Sequence, residues 1–473
     1  MAGKNDVDFK HSDFIGNVDN WNLVDDICDS KNLGKYLVEL NPNDDTQENT
    51  TRNQQFKRRA VFSAVAGYTS RGLVGKAFSI PPKSELPPGM DYALTNIDGM
   101  GVSLNQQAQD ATAEIVRLGR AGILVDFPRT EGELSRAALA TGNVFATLTL
   151  YKAAQIINWQ TKRVGARMIN SKIVLAYTKS MITPDGFGSE DVDVRLELSL
   201  LNDVYNMTSW EKDARDEWQP VEVVVPTNAR GETLKEIPFF FVGANSNTHN
   251  IDFAPMFDLS KINAGHYNNS AIYEDSVFTV GQAQPWMSGL TQESIELMKS
   301  NNMYIGSGRL IGVPSGEKFG FEQAKENPIA REAMLDKVDM MVGLGAMLIQ
   351  PSGAVKTATQ SSGEQLAQHS VLSLIVSNVS EAYTDALKVA AEFMGEDPTN
   401  IEYSINQDFV APGADANMLR EVVASFIGGA LPVSDFMVWQ QRNGFVDPEK
   451  TLEEYNEELD SVESMSMGMD LDA

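Results

Sequence analysis

The sequence predicts an α+β fold with helix in excess, and three observations predict it. Helical-period stretches occupy both ends of the chain, six β-rich runs cluster between residues 121 and 244, and a small α/β insert separates two helical patterns. The 473 residues, 42% hydrophobic and 22% charged, suffice for a sizeable interior in two or three domains.

Residues 1–51, ending "ELNPNDDTQENT", are acidic and polar with little periodicity and predict an extended or loosely packed arm. From Phe56, "FKRRAVFSAVAGYTSRGLVGKAF" puts Phe56, Ala60, Ala64 and Gly67 on one helical face, with Gly75 as a stop. A second helix starts at cap Ser103 and ends near Gly119. The period then becomes that of strands in "AGILVDFP", "VFATLTLY", "KIVLAYT", "VDVRLELSLL", "WQPVEVVVP" and "IPFFFVGA".

Past a cap at Asp258, Leu259, Ile262, His266, Tyr273 and Val277 recur with helical spacing. The insert comes next, with a short helix "QESIELMKS" and strands "MYIG" and "GRLIGVP". In "ENPIAREAMLDKVDMMVGLGAMLIQ", Asn327 can cap and Pro328 suits the first turn, where its missing N–H costs nothing. Met334, Val338, Met341, Gly345 and Leu348 descend one face; Arg331, Asp336, Lys337 and Asp339 take the other. Gly343 and Gly345 predict either a bend or close helix packing.

After the polar segment "QPSGAVKTATQSSGEQ", Ser361 and Ser362 stand three residues before Glu364 and Gln365, a capping box opening a helix to Met394 with Gly395 as its stop. Such a helix would be about 50 Å long. Two further helices meet around Gly428, Gly429 and Pro432, and the acidic "DPEKTLEEYNEELDSVESMSMGMDLDA" predicts a solvated helix and a frayed tail.

The chemistry is mostly negative. With 65 acids against 38 bases, a net charge of -27, the surface is not one that grips nucleic-acid phosphates. The single cysteine, Cys28, excludes an intramolecular disulfide and reads as a small buried apolar side chain. His11, His249, His266 and His369 are scattered singly, so no metal site is expected. "GYTSRGLVGKAF" lacks the Lys-Ser/Thr pair of a phosphate loop, and its glycines read as helix packing and stops. Ser315 in "GVPSGEK" has no base positioned for it, and Asp191 and Asp193 alternate onto one solvated strand face. No enzyme and no cofactor are expected, nor are a secretory leader or membrane span.

The order of parts and the strings "GRAGILVDFP", "QIINW", "IPFFFVGANSN" and "INAGHYNNSAIYEDSVFTVGQAQPWMSGL" together resemble the portal proteins of tailed double-stranded DNA bacteriophages, over roughly Arg52 to Glu458. The resemblance implies a portal fold: a wing (52–255), first stem helix (256–280), clip (281–323), second stem helix (324–349), tunnel loop (350–360), long wing helix (361–395) and helical crown (396–460), with the arm before and an acidic tail (461–473) after. It implies a homo-oligomeric ring, usually a dodecamer, at one capsid vertex of the virion, assembled in the host bacterial cytoplasm. Implied partners are double-stranded DNA in the channel during packaging and ejection, the large terminase motor, major capsid protein and scaffold, and a head-tail adaptor, with no membrane.

Ring symmetry would repeat Gln350, Ser352, Gly353, Lys356, Thr357 and Thr359 as a collar, with Lys356 the one cation able to touch phosphates transiently. Clip and stem candidates are Arg309, Lys318, Lys325, Arg331 and Lys337. The acidic excess could line the bore, where it would keep DNA sliding, or coat the exterior. Two alternatives stay open: another ring-forming head-tail or capsid protein without a DNA-contacting loop, and an unrecognised hydrolase.

Overall fold

The computed structural model describes residues 6–127, 144–183, 185–228, 230–281, 284–289, 291–292, 296, 318–322, 328–349, 370–407, 409, 425, 432–442 and 450–456. Helix and strand are mixed, as the sequence predicts.

The N-terminal region departs from expectation. Instead of a loose arm, Ser12–Asp29 forms helix α1, whose Phe14, Trp21, Val24, Ile27 and Cys28 are buried in the main core. His11 caps it by accepting the Asp13 N–H at 3.2 Å. Cys28 is an apolar core residue, its thiol pKa pushed up to about 11 by burial.

The single helix expected from Phe56 is two, α2 (Gln47–Arg59) and α3 (Val65–Ala77). Distant side chains break it. Ser270 bonds both the N–H (3.0 Å) and the C=O (2.7 Å) of Val61, while Asn263 accepts from Ala66 N–H (3.0 Å) and donates to the Ser63 carbonyl (2.9 Å). Tertiary partners here outbid the helical ladder. Helix α3 runs past Gly75 to Ala77, so that glycine is not its stop. Gly67 does serve packing, since a Cβ there would lie 2.3 Å from the Cys28 carbonyl oxygen of α1. Helix α4 (Leu104–Leu118) matches expectation, capped by Ser103 and closed by Gly119 in the left-handed conformation.

Two antiparallel sheets come next. After the short β1 (Lys83–Glu85), β2 (Arg120–Asp126) is the centre of a three-stranded sheet between β3 (Thr147–Lys152) and β9 (Phe239–Gly243). The meander β4 (Ile156–Val164), β5 (Arg167–Ile182), β6 (Ser189–Leu201), β7 (Val204–Lys212) and β8 (Trp218–Val224) forms the five-stranded second sheet. Strand predictions missed β4 and β7. Asp191 and Asp193 sit exposed on one face of β6, as expected.

Helix α5 spans Phe257–Val280; Asp258 lies in its first turn rather than at the cap, which is Met256. Strands β10 (Gln284–Ser288) and β11 (Lys318–Glu322) pair antiparallel, a pairing the sequence did not suggest; "MYIG" and "GRLIGVP" lie outside the described residues. Helix α6 covers Ile329–Ile349. Helix α7 covers Val371–Met394, not a helix from Ser361: Ser370 is extended and caps it by accepting the Ser373 N–H at 3.1 Å. It is about 36 Å long. Ser361, Ser362, Glu364 and Gln365 are outside the described residues.

Helix α7 returns the chain through the core, where Leu372, Ile375, Val379, Tyr383, Leu387 and Phe393 are buried. Tyr383 Oη and Gln107 Oε1 are 3.2 Å apart, and Gln107 donates to the Leu148 carbonyl at 2.8 Å, joining α7, α4 and β3. Strand β12 (Glu402–Ser404) pairs with β1, and α8 (Val433–Arg442) is the last labelled helix.

Candidate assembly interface

The chemistry-bearing residues expected from the sequence fall on α5, on α6 and on the chain around these two helices. Helix α6 packs on α5, with Met341 buried and Met334, Leu344 and Leu348 half-buried. A Cβ at Gly345 would meet Thr69 Cγ2 at 3.4 Å, an ordinary contact, one at Gly343 would meet nothing within 4 Å, and α6 continues through both to Ile349. Lys337, expected on the solvent side, is half-buried, its chain lying over Gly265 of α5, where a Cβ would approach Lys337 Cε to 3.1 Å. The aliphatic stem thus covers apolar surface. Buried His266 beside it has an Nδ1 with no hydrogen-bond partner among the described residues, and burial followed by the Lys337 charge holds its pKa below the ordinary value.

Val338 does not join the buried strip; it is exposed, together with Ile329, Leu335, Met340, Val342 and Met347. At about 100° per residue, Ile329, Met340 and Met347 lie along one flank of the buried strip and Leu335, Val338 and Val342 along the other. The arc opposite the strip carries Glu332, Asp336 and Asp339, all exposed. Helix α6 therefore has one covered apolar strip, two uncovered ones and an acidic ridge. The covered strip is the stripe expected from the sequence apart from Val338; the flanks were not expected, although the near-continuous apolar run around Met340 signals them.

Helix α5 also ends in exposed apolar residues, Ile272, Val277 and Phe278. An ion cluster ties this end to α2. Arg52 Nη1 donates to Asp275 Oδ1 at 2.8 Å, its Nη2 to Asp275 Oδ2, and Arg59 Nη1 to Oδ1 at 2.9 Å. The Arg59 guanidinium also lies 3.8 Å from the Phe278 ring centroid. Hydrogen bonding from Arg52 holds the Asp275 pKa below the usual carboxylate range. No motif pointed to these partners, because Asp275 and Arg52 are far apart in sequence.

Of the candidate side chains, Lys318 is exposed opposite Ser288 at one end of the β10–β11 pair, and Arg331 is exposed on the first turn of α6. Arg309 and Lys325 are outside the described residues, as are Gln350, Ser352, Gly353, Lys356, Thr357 and Thr359. Helix α6 leads directly into that last segment, and α7 comes after it.

A family described as a domain of unknown function (DUF4055) matches residues 255–394, the span from just before α5 to the end of α7. No curated protein matches the chain. Among solved structures, the chain is similar to one described as the virion of a native gene transfer agent particle, at 13% identity and a TM-score of 0.38, over 80% of this chain and 89% of that one. It is also similar to the neck of a native particle of that kind computed with C12 symmetry, at 13% identity and a TM-score of 0.38, over 81% and 91%. A third is the neck of an empty particle computed with C6 symmetry, at 12% identity and a TM-score of 0.39, over 78% and 87%. Among the described residues, no helix is long and apolar enough to cross a membrane.

Proposed function

We propose that this chain is the subunit of a portal-type ring in a phage-like particle, a structural conduit for double-stranded DNA at the capsid vertex. The observation that carries the reading is the pair of apolar flanks on α6. Apolar strips on three sides of a helix favour cover on all three, and the described residues cover one. A closed ring gives every subunit a neighbour on each side, so a heterologous contact repeated by rotation would cover both flanks and leave the ridge of Glu332, Asp336 and Asp339 free. Facing the bore, that ridge repeated around the axis would repel the duplex and keep it centred. The sequence resemblance to portal proteins supplies the remaining parts: α5 and α6 as stem, β10–β11 as part of the clip, and residues 350–360 as the tunnel loop.

End-on negative-stain images and the mass of purified protein test the ring. A ring of about a dozen copies is expected. Val342→Asp adds a buried like charge to each repeated contact and should release monomers, whereas a wild type that is monomeric at micromolar concentration would end the proposal. The channel reading makes a separate prediction. Lys356→Ala should leave rings intact and change DNA retention or packaging yield, because only a weak phosphate contact is removed; failure of this variant to assemble would remove the segment from the bore.

A further inference from the structure

The five-stranded sheet has hairpin turns of two kinds. The β6–β7 turn is Asn202-Asp203 with positive φ at both residues, and the β7–β8 turn is the polar run around Asp213 and Asp216. These are ordinary solvated turns.

The β5–β6 hairpin differs. Among the described residues its five pairs from Thr178↔Asp193 to Ile182↔Ser189 have no third strand, because β4 pairs with β5 only as far as Leu175 and β7 pairs with β6 only as far as Val194. A two-stranded ribbon therefore projects about 17 Å beyond the sheet. At its tip Phe187 is 97% exposed and Ile182 79% exposed, with Met181 exposed beside them.

The tip is nevertheless built. Thr183 N–H donates to the Gly188 carbonyl at 2.9 Å and Gly186 N–H to the Thr183 carbonyl at 2.8 Å. Gly188 N–H reaches Thr183 Oγ1 at 2.9 Å, Phe187 N–H reaches Asp185 Oδ1 at 3.2 Å, and the Thr183 hydroxyl donates to that same carboxylate oxygen. Gly186 supplies the left-handed residue the turn needs. An isolated two-stranded ribbon is marginal in water, and this one spends its turn chemistry on fixing the backbone position of an aromatic residue that is 97% exposed. Fixing a contact residue beforehand lowers the ordering cost of binding, which is of use only if something binds.

We propose that the β5–β6 hairpin is a docking finger that seats Phe187 and Ile182 in an apolar pocket rimmed by lysine or arginine on a different protein of the assembled particle. Charge selects that occupant. The ribbon carries exposed Asp185, Glu190, Asp191 and Asp193 against Lys179, so its flanks favour a basic rim. A second copy of this chain, with 65 acids to 38 bases, would on average meet those flanks with like charge. The inference rests on the particle reading above.

The test uses the full chain with p-benzoylphenylalanine at position 187, and at 216 as control, in particles assembled from the genome that encodes it. Irradiation should join position 187, and not 216, to one apolar segment of another protein flanked by lysine or arginine. Phe187→Ser should leave the purified ring and its melting midpoint unchanged while lowering incorporation into particles at least about tenfold. Asp191→Asn with Asp193→Asn should give a smaller fall that shrinks as salt rises. Crosslinks to a second copy, crosslinks no stronger than the control, an acidic target segment or wild-type incorporation of Phe187→Ser would each overturn the finger. Ring formation is scored on purified protein without partners, so a chain that forms no ring overturns the particle reading, and this inference with it.

Discussion

Trp21→Ala should destabilise the body by about 3–5 kcal/mol, the range for removing a large aromatic side chain from a packed core. Trp21 is 2% exposed, meets Phe14 edge-to-face at 5.8 Å, and donates its indole N–H to the Leu118 carbonyl at 3.0 Å. That carbonyl belongs to the last turn of α4, just before Gly119 leads into β2. Alanine would leave both a cavity and a buried acceptor without its donor, and the two losses act at the junction of α1, α4 and the central strand. Against a whole-domain stability of about 5–15 kcal/mol this is a large fraction, so the variant should unfold at markedly lower urea. Ile15→Ala on the exposed side of α1, where Ile15 is 60% exposed, should change stability by about 0.5 kcal/mol or less. Equal effects for the two would mean that α1 is the peripheral arm its composition suggests.

Composition misled there for a physical reason. The stretch "SDFIGNVDNWNLVDDICD" is rich in Asp and Asn, which compete for backbone hydrogen bonds and are poor helix formers. Yet Phe14, Trp21, Val24 and Cys28 fall at helical spacing, and burial of that face decides the outcome. Strands β2, β6 and β9 were legible because they are continuous or alternating runs of β-branched and aromatic residues. Strands β4 and β7 were not, because buried Asn158 and Asn206 interrupt their apolar residues and the polar Gln160, Lys162, Glu211 and Lys212 stand toward their C-terminal ends.

The candidate interface was half legible. Met341 and Leu348 lie on the predicted stripe, but Lys337 against Gly265 and the bare flanks of α6 depend on what α5 covers, which no pattern within α6 encodes. The α2–α3 break was not legible at all, because its cause, Asn263 and Ser270, lies some 200 residues downstream.

Glu114→Gln should raise stability in a pH-dependent way, and the sign is set by the site. Glu114 is 8% exposed, and its Oε1 accepts the Ala153 N–H at 2.9 Å. Burial raises its pKa from 4.5 to about 7; the Ala153 hydrogen bond opposes that rise without overcoming it, Asp25 adds to it, and Lys152 and Arg117 oppose it more weakly. An acid whose folded pKa lies above its unfolded value is protonated in both states below about pH 4.5 and costs nothing there. As pH rises from about 4.5 to about 7 the unfolded chain ionises first, so native stability falls, reaching a plateau deficit above pH 7. At about 1.36 kcal/mol per pKa unit the deficit is at most about 3 kcal/mol. Glutamine keeps a carbonyl acceptor for Ala153 and cannot ionise, so the variant should match wild type in urea melts at pH 4 and exceed it at pH 8. A difference of the same size at both pH values would instead assign the effect to altered packing and place the ionised carboxylate in a well-solvated setting.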